Sequence, residues 1–256
     1  MPSARLRPVL FLAWAPPAVA LALLLAILSA AVGVPWWAGA LLGLLAGALI
    51  VWLLTRSATD RLVERLDGVR FEPGTHPHYE NLVEGLCLST GLAEPRLYVV
   101  DDESMNGAAL SWAGVQALVV TSGLLASCDR IELEGVLAGL LSRIKSGDAE
   151  AATLVSALFG RTVLESGVGS IFRPVVDRAS RSVFDEQREI TGDRFAVSVT
   201  RYPPGLLAAL QRIESGSYEP ASSTPGTQHL WFAPPSSAPV VPHSSLTWRL
   251  DVLSEI

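Results

Sequence analysis

The residues able to do chemistry in this chain of 256 residues are few and far apart. Its four histidines are His76 and His78, ahead of a helical stretch, and His229 and His243, in a Pro- and Ser-rich tail. None has the i, i+4 spacing with which a helix sets two imidazoles on one face around a metal ion, so each reads as a surface or structural residue. Cys87 and Cys128 sit in separate apolar stretches and make neither a disulfide framework nor a metal knuckle; they read as buried thiols in a reducing compartment. Asp101-Asp102 and Glu132/Glu134 suit a turn and a helix N-terminus, where negative charge meets the macrodipole. Glu189 and Asp193 stand four apart, and by spacing alone they are an acidic pair on a solvated helix face beside Arg188 and Arg194. There is no Ser-His-Asp arrangement, and Gly167-Val168-Gly169 is too short for a phosphate-binding loop.

The elements that must position these residues begin in an apolar environment. Half the chain is hydrophobic, 17% is charged, and the mean hydropathy of +0.38 exceeds that of an ordinary soluble domain. A net charge of -6 without a long basic run excludes nucleic-acid binding, which needs clustered Lys and Arg. No charged residue occurs between Arg7 and Arg56, so residues 1–55 read as a transmembrane hairpin of two helices of about 20 residues each. The break falls near Gly33-Val34-Pro35, with Trp36-Trp37 suited to an interfacial aromatic belt. Pro16-Pro17 allows two readings, a first helix that starts there or one that starts earlier and is kinked. A competing reading is a secretory signal peptide, from Arg5, Arg7, the apolar core and Ser29-Ala30-Ala31; the length of the core and the second apolar segment favour the hairpin. Arginines flank both outer ends and none lies in the turn, which places both ends in the cytoplasm.

Residues 56–75 read as a connecting helix and linker, with an amphipathic stretch from Asp60 to Val69, and residues 76–256 as a folded domain. A helix over 78–90, with Leu82, Val83, Leu86 and Leu88 as its apolar stripe, stops at Gly91. Runs 96–100 and 116–121 are β-branched and apolar, and the segment between them, holding Asn106-Gly107, reads as turn. Asp129 and Glu132 form a capping-box start to a buried helix carrying Ile131, Val136, Leu137, Leu140, Leu141 and Ile144. Gly139 in its middle costs about 1 kcal/mol against Ala, so something other than propensity accounts for it. Residues 149–175 include Arg161 and Glu165 and read as a buried or membrane-grazing helix, with a third span as the alternative. Residues 215–245, dense in Ser, Pro, Gly and Thr, read as a flexible surface loop.

From about His76 onward the order and spacing of these pieces resemble the HtpX-like membrane zinc metallopeptidases, relatives of the CAAX prenyl proteases. The resemblance is carried by Arg96 to Asp101, Met105-Asn106-Gly107 in the place of Asn-Ala-Phe, Leu118 to Leu125, and Glu132 to Ala138 leading into the place of H-E-x-x-H. It continues through Ile144 to Asp148, Arg188 to Ala196 like the E-x-x-x-D helix, and Pro203 to Ile213. More weakly, His229-Leu230-Trp231-Phe232 and Pro242-His243 through Arg249 resemble the closing segments. The resemblance implies an α+β, mostly helical gluzincin-type domain with a small β-sheet.

Where H-E-x-x-H belongs, the chain reads Gly139-Leu140-Leu141-Ser142-Arg143. That chemistry needs two imidazoles to hold zinc and a carboxylate to take a proton from the metal-bound water. Gly139 offers no ligand, Leu140 no base, and Arg143 a permanent cation. Of the residues that the resemblance assigns to the metal only Glu189 remains, with Asp193 one turn on, and the resemblance implies that it points inward to the old pocket; no zinc and no other cofactor is expected. An unpaired buried carboxylate is costly, so Arg143 is expected to pair with Glu189. The resulting reading is an inactive peptidase homologue, multi-pass in the cell membrane with its C-terminal domain in the cytoplasm. Its partners would be membrane lipid and a protein, either a membrane protein complex or a second copy. Relatives take substrates as an added strand on a sheet edge, and Asn106, Gln116, Val119, Thr121, His243 and Arg249 are the groove candidates. The alternatives are an active metalloendopeptidase with a non-standard site and a purely structural subunit of a membrane complex.

Overall fold

The computed structural model describes residues 7–72, 74–165, 187–233 and 244–255, with single positions at 174, 176, 178, 181, 183 and 184. Two long helices open the chain, α1 (Arg7–Ala31) and α2 (Trp36–Thr55), joined at Gly33, which has a φ of +77°, and at Pro35, the residue before α2. α1 runs unbroken through Pro16-Pro17. Gly39, Gly43 and Gly47 recur every fourth residue along α2 and lie against Leu25, Ala22 and Ala18 of α1, so that a Cβ on any of them would collide with the partner helix. This small-residue stripe lets the two backbones approach closely where the hydrophobic effect alone gives no preference. Leu23, Ile27, Leu41, Leu42 and Leu45 point outward and are exposed.

α3 (Ala58–Arg65) follows and buries Leu62 and Val63. The amphipathic stretch read as reaching Val69 ends earlier, because Val69–Arg70 forms the short strand β1, paired antiparallel with Val99 and Tyr98. α4 (Pro77–Thr90) closes on Gly91 in the left-handed region, as expected. Its buried stripe is Tyr79, Leu82, Val83, Leu86 and Cys87; Leu88 is 78% exposed, since it falls one position outside the stripe. The sheet has the order β1-β2-β4-β3, with β2 (Arg96–Val100) parallel to β4 (Val115–Thr121) and β3 (Gly107–Trp112) antiparallel to it.

β3 corrects the turn read between the two predicted strands. The reversal lies at Ala113-Gly114, both with positive φ (51° and 83°), which suits a tight hairpin and not the segment at Asn106-Gly107. Both faces of the sheet are buried. Ala109, Leu118 and Val120 face α4 and two later helices, while Ala108, Leu110, Ala117 and Val119 face α3 and the helix after α6. Burial on both faces is why β4 reads as a continuous apolar run.

After α5 (Ser122–Ser127), α6 (Arg130–Ser146) starts on the expected capping box: Asp129 accepts from Ile131 N and Glu132 N, both at 2.8 Å, and its own N–H donates to Glu132 at 2.9 Å. Gly147, with φ +83°, ends α6 and begins α7 (Asp148–Phe159), which buries Ala152, Leu154 and Val155 and continues into a wide turn over Gly160–Leu164. α7 is thus a buried helix packed on β3 and on the α1–α2 pair. α8 (Arg188–Thr200), α9 (Pro203–Ser215) and α10 (Leu246–Ser254) complete the domain. Residues 227–233, read as part of a flexible surface loop, are all buried. Their Leu230, Trp231 and Phe232 belong to the two apolar cores, which outweighs the Ser- and Pro-rich composition around them.

Candidate functional site

Helix α6 brings Gly139 and Arg143 onto one face, one turn apart, with Leu140 beside them. α8 crosses α6 at Gly192, where an added Cβ would lie 3.6 Å from Ser142 and 3.9 Å from the Gly139 carbonyl oxygen. The crossing sets Glu189, about one turn before Gly192, and Asp193, the residue after it, against the face that carries Gly139 and Arg143. Both carboxylates are buried, at 3% and 1% exposure, so the solvated-face reading of this pair gives way to the inward one.

Each position of the expected site is filled by the protein itself. Beside Gly139 lies the Phe232 ring; a Cβ there would come within 2.7 Å of Cε2, which accounts for glycine in the middle of α6. Leu140, fully buried, packs under Gly107 of β3, where a Cβ would lie 2.9 Å from its Cδ1. Arg143 sends Nη1 to the carbonyl oxygens of Leu230 (3.0 Å) and Trp231 (2.9 Å) and Nη2 to that of Phe232 (3.3 Å). Arg249 grips Asp193 bidentately, Nε to Oδ2 at 2.8 Å and Nη2 to Oδ1 at 2.7 Å, and places Nη1 3.0 Å from the Phe232 carbonyl.

The expected Arg143–Glu189 pair does not form. Glu189 takes the Arg188 Nε at 2.7 Å and the Ser244 N–H at 3.3 Å, and the Arg143 donors are spent on peptide carbonyls. Arg188 is the residue that sequence reasoning missed. Neighbours in sequence do not face each other inside a helix, but Arg188 is the first residue of α8, where its side chain is free to fold back along the helix entrance.

Electrostatics follow from this burial. Burial alone would raise the Glu189 carboxyl, yet the guanidiniums of Arg188, Arg143 and Arg249 outweigh it and hold it below its ordinary value. Burial, then the repulsion of Arg188 and Arg249, pushes Arg143 down to about 10, so it stays charged at neutral pH. His229 is buried, its Nε2 within 3.0 Å of Ser156 Oγ and 3.2 Å of the Ala152 carbonyl, and burial with the nearby Arg188 lowers it to about 3. It is a neutral structural histidine.

Three of the groove candidates serve the fold. Asn106 is fully buried, donating to the carbonyls of Tyr218 (2.6 Å) and Ala233 (2.7 Å) and accepting from Ala233 N (3.0 Å). Thr121 accepts from Leu124 N as the cap of α5, and Val119 lies in the sheet core. Gln116 is half-buried on β4, Arg249 is the Asp193 partner, and His243 lies outside the described residues. β4 is also not an edge: β2 and β3 pair with both its sides, so a strand cannot be added there.

The zinc that the resemblance implies finds no fitting donor set. Among the described residues no three His, Cys, Asp or Glu side chains gather at one point, and Glu189 is already engaged by a guanidinium.

The class of protein is defined by a small mixed sheet whose edge strand runs beside a buried helix, with a second helix that bears two buried carboxylates crossing it: a metallopeptidase-like α+β domain, here carried on an apolar helical pair. No family model matches the chain. Curated relatives do. The "Protease HtpX homolog" of Dictyoglomus thermophilum is 33% identical over 211 residues, 70% of this chain and 68% of that protein. That of Dictyoglomus turgidum is 32% identical over 183 residues, 60% of each, and that of Streptococcus mutans is 27% identical over 231 residues, 75% of this chain and 77% of the relative. The chain belongs to the HtpX protease family. Among solved structures, S. mikatae Ste24p aligns with 96% of this chain and 64% of its own, at a TM-score of 0.47 and 15% identity.

Proposed function

We propose that this protein is an inactive HtpX-type peptidase, a membrane-anchored domain that binds a protein partner and does not cleave it. The observation that carries the reading is Arg143: a charged guanidinium, bonded to three peptide carbonyls, stands where a second zinc-binding imidazole would be needed. No base stands at Leu140 to activate a water. The apolar outer face of the α1–α2 pair supports insertion in a membrane, and the arginines at both outer ends support a domain on the cytoplasmic side. The partner in this reading is a membrane protein or a second copy of the chain. Elemental analysis of purified protein, with a casein-cleavage assay with and without chelator, tests the inactivity; about one zinc per chain together with chelator-sensitive cleavage would overturn it. Co-purification from native membranes identifies the partner.

A further inference from the structure

Three guanidiniums and two carboxylates are buried around the crossing of α6 and α8: Arg143, Arg188 and Arg249 with Glu189 and Asp193, none more than 8% exposed. Arg249 shows how such a pair is completed, since its Nε and Nη2 hold both oxygens of Asp193. Arg188 offers the same two nitrogens and uses one. Its Nε donates to Glu189 Oε1 at 2.7 Å, the other oxygen of Glu189 accepts from Ser244 N–H, and Nη2 is left buried without a partner. Among the described residues it is the one guanidinium nitrogen so placed. The ring of Phe184, its centroid 4.6 Å from Cζ, shields this guanidinium further from solvent. The charges are also unequal. Arg249 cancels Asp193 and Arg188 cancels Glu189, which leaves Arg143 with no carboxylate among the described residues. The three carbonyls that hold Arg143 supply dipoles and no net charge, and Arg188 and Arg249 repel it. A buried charge without a counter-ion is costly, and so is a buried donor without an acceptor. A water molecule would satisfy the donor and leave the charge. An anion satisfies both.

We propose that the open Nη2 edge of Arg188 is a binding site for a small inorganic anion of single charge, of the chloride or bromide class, which neutralises the cluster. Three positive and two negative side chains leave an excess of one positive charge, which one such ion cancels. A dianion such as sulfate would overshoot it. An ion entering so enclosed a site must also shed its water, and the weakly hydrated guanidinium suits an anion that gives up its own hydration readily. The ion is a structural ligand: the folded domain takes it up and the unfolded chain releases it, so its binding stabilises the packing of α8 on α6. The proposal shares with the reading of inactivity only the premise that Arg188, and not a metal, partners Glu189.

The test uses the full chain in detergent micelles with a chelator present, and replaces sodium gluconate by sodium chloride at constant ionic strength. The thermal midpoint of wild type rises by about 3–6 °C and saturates between about 1 mM and about 200 mM chloride. Bromide acts as chloride does, and sulfate gives no saturable rise. Arg188→Met removes the donor and the charge excess together, and it abolishes the chloride dependence. Glu189→Gln doubles the excess, and its half-saturating chloride concentration falls by about tenfold. That gain separates an anion site from a merely structural arginine. If Arg188→Met gives no cooperative transition, Arg188→Gln takes its place with the same expectation. Equal midpoints of wild type in chloride and gluconate overturn the proposal, and so does a chloride shift that persists without Arg188. A rise that never saturates and is alike in sulfate is general salt exclusion and overturns it too. Zinc content of the protein as purified, before the chelator is added, reads out the inactivity separately.

Discussion

The buried pair of Asp193 and Arg249 gives a prediction whose size follows from its geometry. The two side chains are 2% and 1% exposed, joined by two bonds of 2.7 and 2.8 Å, and Arg249 also holds the Phe232 carbonyl. Breaking a buried pair by removing one partner leaves an uncompensated charge and costs about 3–5 kcal/mol. That is a large share of the roughly 5–15 kcal/mol that stabilises a typical domain. Asp193→Ala orphans the guanidinium, which keeps one carbonyl partner. Arg249→Met keeps the apolar stem but orphans the carboxylate and leaves the Phe232 carbonyl only its longer bond from Arg143 at 3.3 Å, and it should be the costlier change. The double variant carries neither charge, so it should lie within about 1 kcal/mol of the worse single variant, a coupling of at least about 2 kcal/mol. Urea unfolding of detergent-solubilised protein, followed by circular dichroism at neutral pH, measures all three. Additivity within about 0.5 kcal/mol would show that the two residues act independently and would refute the pairing.

Three further outcomes are expected. His229 is held down to about 3 in the folded state, against about 6.5 unfolded, so its contribution is complete above pH 6.5 and is lost as the pH falls toward 3; stability should drop by about 2 kcal/mol between pH 7.5 and 5, and His229→Gln should flatten that slope in the same urea titration. Gly139→Ala should cost about 1–3 kcal/mol by driving a methyl into the Phe232 ring. Gly85→Ala, in α4 with nothing within 4 Å of the new Cβ, should instead stabilise by about 1 kcal/mol; thermal shifts of the same sign for both would contradict the packing around Gly139.

Much of the framework was legible in the sequence because it rests on local signals. The uncharged run from Arg7 to Arg56 gave the helical pair, Asp129 and Glu132 the start of α6, Gly91 the end of α4, and the β-branched runs the strands β2 and β4. What stayed hidden depended on tertiary partners. β3 is short and rich in small residues, and its glycine, alanines and serine carry no strand signal until β4 and α7 cover it. Residues 227–233 sit in a Ser- and Pro-rich stretch, and their burial comes from contacts with α6 and β3 more than 80 residues away in the chain, such as Arg143 to Leu230. The partner of Glu189 was hidden for a different reason: Arg188 stands beside it in sequence, and helix geometry discounts such pairs except at a first turn.

The charges show why Arg143 turned from Glu189 to the backbone, and why restoring the motif alone would not restore a metal. A Zn²⁺ ion beside Glu189 would leave a local charge of +1. Arg143 and Arg188 together with Glu189 leave the same +1, while Asp193 and Arg249 cancel. Two guanidiniums therefore stand where one divalent ion would, and Arg188 already neutralises the carboxylate, so Arg143 is free to use its fork on the carbonyl oxygens of 230–232. Changing Gly139→His, Leu140→Glu and Arg143→His together would remove one guanidinium and leave the other bonded to Glu189. The new imidazole at 139 would also meet the Phe232 ring, which lies 2.7 Å from where even a Cβ would stand. Zinc would then have to displace an ion pair buried to within 3% of full enclosure as well as an aromatic side chain. The three-residue reversion is accordingly expected to bind far less than one zinc per chain at micromolar metal, read by elemental analysis after gel filtration. Stoichiometric zinc in that chain, with Arg188 and Phe232 unchanged, would show that the guanidinium and the ring are no barrier to the metal.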